Sequence, residues 1–101
     1  MRTMMRVKIP VESGNASIKS GRLAQLMERV LGELKPEAAY FTTDGGVRTA
    51  FLFVDFKDVA DMPKLAEPFF SELNASVEFL PVMNAEDLKR GLKQLQATAT
   101  V

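Results

Sequence analysis

Charged residues at alternating positions are the first candidates for chemistry in this chain. Arg6 and Lys8 alternate with apolar residues near its start, and Asp55 and Glu78 lie in two later predicted strands. The alternation places all four on one face of a predicted sheet. There they line a cavity that orients a polar ligand, or they form cross-strand or inter-subunit ion pairs. Ion pairs are the commoner arrangement on sheets, and both interpretations stay open.

Tyr40, Arg48 and Glu67 are the remaining candidates for ligand binding. Tyr40 and Arg48 flank a predicted hairpin, where a phenol and a guanidinium suit a carboxylate or phenolate ligand. The alternative is that the Tyr40 hydroxyl is hydrogen-bonded, and the Arg48 guanidinium paired with an acid, within the chain itself. Glu67 precedes Pro68, so it either faces a pocket where a helix breaks or caps the second half of that helix.

Composition excludes several kinds of chemistry. The chain has no cysteine and no histidine, which excludes thiolate nucleophiles, disulfides, imidazole ligation and the usual general base at neutral pH. Asp55, Asp58 and Asp61 are spaced by three residues, but they lack the spacing and glycine of an EF-hand loop, and helix capping accounts for two of them. We therefore expect no metal and no cofactor.

The charge balance and hydropathy indicate where the protein acts. Thirteen basic residues balance 13 acidic ones, so the chain lacks the excess of positive charge that favours binding to a nucleic acid backbone. No apolar run is long enough for a bilayer, and the first residues are too charged for a signal peptide. We expect a cytoplasmic protein that binds neither nucleic acid nor membrane.

Periodicity predicts the elements that position these residues. Period-two alternation over 4–9 predicts a strand that Pro10 ends, followed by a loop over 11–15 in which Ser13 or Asn15 caps a helix. The apolar stripe of that helix is Leu23, Leu26, Met27, Val30, Leu31 and Leu34, and it stops at Lys35-Pro36. Strands follow over 38–43 and 47–56, joined by a turn at Asp44-Gly45-Gly46.

The second half of the chain repeats this pattern. Asp58 caps a second helix, in which Pro68 predicts a kink or a break and Asn74 a left-handed end. A strand over 75–83 follows, and Pro81 favours an edge position. Asn84 caps a last helix with a narrow stripe of leucines, and a tail begins at Thr98. The apolar positions of that stripe are Leu88, Leu92 and Leu95.

The order β-α-β-β-α-β-α predicts one ferredoxin-like α+β domain over 1–101. Right-handed crossovers place the main helices on one face of a four-stranded antiparallel sheet of order 4-1-3-2. The other face carries Thr49 and Asp55 together with an apolar patch, and the patch residues are Phe51, Phe53, Leu80 and Val82. Monomers rarely leave such a patch exposed to water, so we expect a second copy to cover it in a dimeric α+β barrel. The competing cover is the last helix, folded back over the sheet.

Several segments resemble a family of small uncharacterised bacterial proteins of the dimeric α+β barrel group. They are Asn15 and Gly21, Lys35-Pro36-Glu37-Ala38-Ala39-Tyr40-Phe41, Gly46-Val47-Arg48-Thr49-Ala50, Glu67-Pro68-Phe69, Asn74-Ala75-Ser76-Val77-Glu78, Pro81-Val82-Met83 and Glu86-Asp87-Leu88. The resemblance spans most of the chain. It implies the ferredoxin-like fold and the homodimer, and it implies no reaction.

Three functions are compatible with these observations. The first is a homodimeric domain that binds a small molecule or serves as an accessory domain. The second, suggested by enzymes of the same barrel group, is a cofactor-independent monooxygenase or isomerase acting on a small aromatic or lactone substrate. Its candidate residues are Tyr40, Arg48, Glu67 and Glu78. The third is a structural module that docks another protein.

Overall fold

Four strands and four helices make up the computed structural model, which describes the backbone of residues 1–99 and the side chains of residues 1–98. The strands are β1 (Arg2–Ile9), β2 (Ala38–Asp44), β3 (Val47–Asp55) and β4 (Ser76–Pro81). The helices are α1 (Val11–Lys19), α2 (Arg22–Leu34), α3 (Met62–Leu73) and α4 (Ala85–Ala99), with a 3-10 turn at Val59–Asp61 before α3.

The strands form one antiparallel sheet in the order β2-β3-β1-β4. This is the predicted order 4-1-3-2 read from the other edge, so the ferredoxin-like α+β fold is confirmed. The strands β1 and β3 are central. As Pro81 predicted, β4 is an edge strand, because a residue without an N–H cannot donate to a further ladder.

The core lies on one face of the sheet. Alternate residues of β1 and β3 point into it, and α2 and α3 cover them with their apolar stripes. The core residues with no more than 2% of their surface exposed include Met5, Val7, Leu26, Ala50, Leu52, Phe69 and Leu73. The helices α1, α2 and α3 all lie on this side, so the other face of the sheet is left without a helical layer.

The predicted loop over 11–15 is wrong, because these residues begin the helix α1. Ser13 and Asn15 consequently lie inside a helix and cap nothing. The sequence hid this helix because its buried positions are Gly14 and Ser17, which are too small and polar to form an apolar stripe. A side chain at 14 would collide with Arg48, since an added Cβ would lie 2.5 Å from its Nη1.

Helix boundaries elsewhere follow backbone conformation more closely than apolar periodicity. The helices α1 and α2 are separated at Gly21, which has φ 78°. The left-handed ends at Lys35 and Asn74 agree with the predicted stops. The helix α3 runs unbroken through Pro68, so the expected division there is wrong and the change of helix type occurs at Asp61–Met62.

The predicted cap at Asn84 is confirmed, whereas Asp58 caps the 3-10 turn before α3 rather than α3 itself. The Oδ1 of Asp58 accepts from the N–H of Ala60 at 3.0 Å. The Oδ1 of Asn84 accepts from the N–H of Asp87 at 2.8 Å, and the Oδ2 of Asp87 accepts from the N–H of Asn84 at 3.1 Å. This reciprocal pair closes the first turn of α4 and fixes where the helix starts.

The helix α4 projects away from the rest of the domain. The Cα trace measures 60 × 28 × 18 Å with a radius of gyration of 16.8 Å, whereas a compact domain of this length has about 13 Å. Within residues 1–99, no helix or strand packs along α4. The alternative that this helix folds back over its own sheet is therefore wrong. Thr98 continues the helix, and the rest of the predicted tail beyond 99 lies outside the described residues. In the part of the chain that the structure describes, no helix has the length and apolarity to span a membrane.

Two glycine substitutions should shift stability in opposite directions. Gly21→Ala should lower the free energy of unfolding by about 1 kcal/mol, because φ is positive there. Gly32→Ala should raise it by up to about 1 kcal/mol, because Gly32 lies in helical backbone with open space around it. Urea unfolding monitored by circular dichroism measures both, and equal signs for the two variants would contradict the assigned backbone conformations.

Candidate functional site

The uncovered side of the sheet, called the open face here, is the candidate site. Strand register assigns its residues, because partners directly opposite in an antiparallel pair share a face. They are Arg2, Met4, Arg6 and Lys8 of β1, Ala38, Tyr40, Thr42 and Asp44 of β2, Val47, Thr49, Phe51, Phe53 and Asp55 of β3, and Ser76, Glu78 and Leu80 of β4. Val82 continues the alternation beyond β4, with its N–H donating to the carbonyl of Arg2.

The centre of the open face is apolar. Met4 lies between Phe53 and Leu80, directly opposite both, and Phe51 lies one pair further along β3. Both phenylalanines are only half-buried, and Leu80 is 38% exposed. Tyr40 packs edge-on against Phe53 with ring centroids 6.4 Å apart, and 65% of its surface is exposed. The predicted apolar patch therefore exists as one continuous surface, which Met4 and Tyr40 extend.

The charges of the open face are paired within the chain. Arg6 and Glu78 lie directly opposite each other, and Arg6 donates from Nε and Nη2 to the two carboxylate oxygens at 2.9 Å each. These hydrogen bonds, with the charge of Arg6, hold the pKa of Glu78 below 4.5. Lys8 Nζ lies 3.9 Å from Asp44 Oδ2. Arg6, Lys8 and Glu78 therefore form cross-strand ion pairs within the chain, which is one of the two interpretations that the sequence left open.

Asp55 lies at the opposite end of the open face from Lys8. Its carboxylate accepts from Lys57 Nζ at 2.7 Å and from the Met1 ammonium at 3.0 Å. These two contacts, that of Lys57 first, lower the pKa of Asp55 to about 2. The carboxylate is exposed and already has two cationic partners, so it does not join Arg6 and Glu78 in one constellation.

Arg2 connects three elements at this same end. Its Nε donates to Glu37 Oε1 at 2.6 Å, just before β2, and its Nη1 donates to Asp87 Oδ2 at 3.1 Å in the first turn of α4. Sequence reasoning missed this group, although extending the period-two alternation of β1 back from Met4 puts Arg2 on the open face. The partners Glu37 and Asp87 carried no such signal, because their approach depends on how the chain turns after α2 and β4.

Tyr40 and Arg48 do not meet. Tyr40 is on the open face, whereas Arg48 points to the helical side and donates from Nη2 to Asn15 Oδ1 at 3.0 Å. Arg48 also donates from Nη1 to the carbonyl of Val11 at 3.5 Å, so it pins α1 to β3. No ligand can bridge the two residues, because the sheet lies between them.

Glu67 is exposed within α3 and lines none of the recesses described here. A recess of about 170 Å³ lies close by, between α2, α3 and the end of β3, with Val30, Leu65 and Pro68 in its wall. Glu67 does not begin a half-helix either, since α3 is continuous around it. Its side chain is therefore not part of a site.

A recess on the open face is a candidate for a ligand. It is a shallow depression, widely open to solvent, at the end of the face nearest α4. Its wall is formed by Arg2, Glu37, Ala38, Tyr40, Phe53 and Asn84. Two aromatic rings therefore form one side and charged or amide groups the other, which suits a small molecule with an apolar and a polar end.

The buried polar side chains of the described residues are all satisfied. Within residues 1–98, every buried polar side-chain atom has a hydrogen-bond partner, and no three acidic residues cluster as a metal site. The buried hydroxyls of Thr3, Ser17 and Thr49 each donate to a backbone carbonyl. What the open face offers is recognition: an apolar centre, paired charges at its margin and a recess at one end.

The Arg6–Glu78 pair leads to a titration prediction. The Glu78 carboxyl should titrate below 4.5, and Arg6→Gln should move its midpoint up towards 4.5, as measured by carbon-detected NMR of the carboxyl group. Because protonation ends the pair, its contribution to stability is present at neutral pH and is lost as the pH falls through the lowered pKa.

Arg22→Gln is the matched control, since Arg22 is exposed at the start of α2 on the other side of the sheet. The ion pair is refuted if Arg6→Gln leaves the Glu78 midpoint where it was, or if Arg22→Gln shifts it equally.

No protein family model, no curated protein and no solved structure matches this chain. The expected kinship with small bacterial proteins of the dimeric α+β barrel group stays a prediction. The function of the chain must accordingly be argued from its own surface, and the surface that distinguishes it is the open face of a ferredoxin-like sheet.

Proposed function

We propose that the protein is a homodimeric accessory domain that associates with a second copy of itself through the open face of its sheet. One observation carries the proposal: three helices cover one side of the sheet, while the other side presents Phe51, Phe53 and Leu80 to solvent. A sheet with a solvated face normally alternates towards polar residues on that face. Here an apolar patch of Met4, Phe51, Phe53 and Leu80 lies beside the charged residues of the central strand β1.

The energetics favour closure of this face. Burying a phenylalanine or leucine side chain is worth about 1.5–3 kcal/mol when it is fully removed from water. A two-fold axis doubles every such gain, because each residue of one copy has its equivalent in the other. Each ring is already half-buried in one copy, so burying it on association contributes only part of this free energy. The contributions of the several residues add together.

The charges at the margin do not oppose pairing. Arg6 and Glu78 satisfy each other with two hydrogen bonds, as do Arg2 and Glu37 with one. Arg6 lies on the central strand β1 directly opposite Phe51, so an approaching copy meets a charge that is already paired within its own chain, whereas burying an unpaired charge is strongly destabilising. An apolar centre with a polar rim is the usual anatomy of a protein interface.

Binding of a small molecule is a second candidate function, and the recess beside Tyr40 and Phe53 favours it. The recess lies on the open face, so a second copy lying over that face would roof it. A planar ring would stack against Tyr40, while Arg2, Glu37 or Asn84 would contact its polar end. The enzymatic alternative has no comparable support, since Tyr40, Arg48 and Glu67 lie in three separate places.

Phe53→Gln should weaken self-association by about 100-fold or more. The change removes one ring from each copy, and a loss of about 3 kcal/mol in total corresponds to that factor. Size-exclusion chromatography with multi-angle light scattering across a dilution series measures the change. Wild-type protein should be dimeric at micromolar concentration.

Phe41→Gln is the matched control, because Phe41 is an exposed aromatic residue of the same sheet on its other face. It should leave the dimer intact. A wild-type protein that is monomeric at micromolar concentration overturns the proposal, as does equal weakening by both substitutions.

Tyr40→Ala should abolish binding of planar aromatic fragments, while Tyr40→Phe should retain it, because stacking needs the ring and not the hydroxyl. Saturation-transfer difference NMR with a set of such fragments, indole and naphthalene carboxylates among them, provides the measurement. Fragments that bind Tyr40→Ala as well as wild type would place their site away from the recess.

A further inference from the structure

We infer that a small primary amine with an apolar ring binds in the recess between α2, α3 and the end of β3, called the interhelical recess here. This recess lies on the helical side of the sheet, so the inference does not depend on the proposed homodimer. Its volume is about 170 Å³. Since an engineered protein cavity of about 150 Å³ holds benzene, the interhelical recess has room for one six-membered ring.

The interhelical recess exists because α2 and α3 both lie on the sheet without packing closely along each other. The helix α2 ends at Leu34, and α3 begins only at Met62, after the 3-10 turn. Further along, Arg29 Nη2 donates to Glu72 Oε2 at 2.6 Å and joins the two helices. Because Arg29 also lies in the wall of the recess, this ion pair borders the space between the helices.

The lining of the interhelical recess can hold an apolar ring. Its apolar residues come from the end of β3 and from one face of each helix, and they are Val30, Leu34, Val54, Phe56, Leu65 and Pro68. Val30, Val54 and Phe56 also belong to the buried core, so the floor of the recess is preformed. Removing the ring of a ligand from water against this surface favours binding.

Pro68 gives the interhelical recess a hydrogen-bond acceptor. A proline within a helix has no N–H, so the carbonyl of Lys64, one turn earlier, receives no i→i−4 hydrogen bond. Lys64 and Pro68 both line the recess, which places this carbonyl at its wall. The helix continues through Pro68 and thereby leaves an acceptor for a donor group of a ligand.

Two carboxylates that line the interhelical recess also lack partners. Among residues 1–98, neither Glu33 nor Asp61 has a basic group within 4 Å, whereas Asp55 is held by Lys57. The side chain of Asp61 makes no capping hydrogen bond to α3. Glu33 lies in the last turn of α2, where the negative end of the helix dipole disfavours a carboxylate. A cation bound beside Glu33 would relieve this repulsion.

These acceptors determine which ligand fits. An ammonium group has three N–H donors and no acceptor, and the recess offers it the Lys64 carbonyl with the carboxylates of Glu33 and Asp61. The ammonium of Lys64 is exposed, and its long side chain can turn the charge towards solvent. A carboxylate ligand would meet two carboxylates without partners and one such lysine. The interhelical recess therefore favours an apolar amine over the corresponding acid.

Three phenyl compounds of similar size test this preference. They are phenethylamine, phenethyl alcohol and phenylacetate, each titrated separately into the full chain while backbone amides are followed by two-dimensional NMR. The amine should bind with a dissociation constant of about 1 mM. It should bind at least about fivefold more tightly than the alcohol, because its hydrogen bonds are charge-assisted, and the acid should bind most weakly. The amides that shift should lie around Leu34, Phe56 and Leu65.

Substitution of single carboxylates should weaken binding of the amine selectively. Glu33→Gln and Asp61→Asn should each weaken phenethylamine by about threefold and leave phenethyl alcohol unchanged, because each removes a charge and keeps the shape of the side chain. Glu28→Gln is the matched control, since Glu28 is an exposed carboxylate of α2 that does not line the recess. It should leave both affinities unchanged.

Pro68→Ala tests the carbonyl of Lys64. Alanine restores the N–H that bonds to this carbonyl, so the ratio of amine affinity to alcohol affinity should fall by about threefold. Loss of the proline ring affects both probes, and the ratio therefore isolates the acceptor. Pro63→Ala, in the first turn of the same helix and outside the recess, is the matched control and should leave the ratio unchanged.

Several outcomes overturn the inference. They are the absence of saturable shifts with phenethylamine at about 10 mM, binding of phenylacetate as tight as that of the amine, amide shifts confined to the open face, and equal weakening of the amine by Glu28→Gln and Glu33→Gln. Light scattering tests the homodimer separately. A monomeric protein that binds the amine in the interhelical recess would overturn the proposed function and support this inference.

Discussion

The one-sided packing of the sheet is the constraint on which the rest of the molecule depends. Along β1, Met5, Val7 and Ile9 are buried in the core under α2 and α3, while the residues between them face outward. Because side chains alternate strictly in a strand, filling the core on one side commits the other side as well. The central strands cannot supply Met5 and Leu52 to the core without presenting Met4 and Phe53 on the open face. The surface proposed for association is thus the reverse side of the surface that stabilises the monomer.

Prediction from sequence succeeded wherever one physical rule acted locally. The period of two along the strands predicted the shared face of Arg6 and Glu78, although not that they pair with each other. The predicted helix ends at Lys35, before Pro36, and at Asn74 agree with the left-handed backbone there. Prediction failed where small residues replaced apolar ones. The buried residues of α1 are Gly14 and Ser17, which are small enough for neighbouring groups to pack closely against the helix.

The positions of Arg2 and α4 could not be predicted for a different reason. Both depend on the path of the chain over many residues, and the contacts that define that path join Arg2 to Glu37 and Asp87, which lie 35 and 85 residues away. A pattern within a short window carries no information about such distances. The leucine stripe of α4 was visible in the sequence, but the direction in which the helix points was set by the cap at Asn84 and the contact with Arg2.

That contact has a mechanical consequence. With a length of about 22 Å and no lateral support in one copy, α4 acts as a lever whose pivot is the capped turn held by Arg2. A rotation of about 10° at the pivot carries the tip of the helix through about 4 Å, nearly the diameter of the cylinder on which the Cα atoms lie. A small shift at the Arg2–Asp87 contact would therefore move the far end of α4 much further than its root.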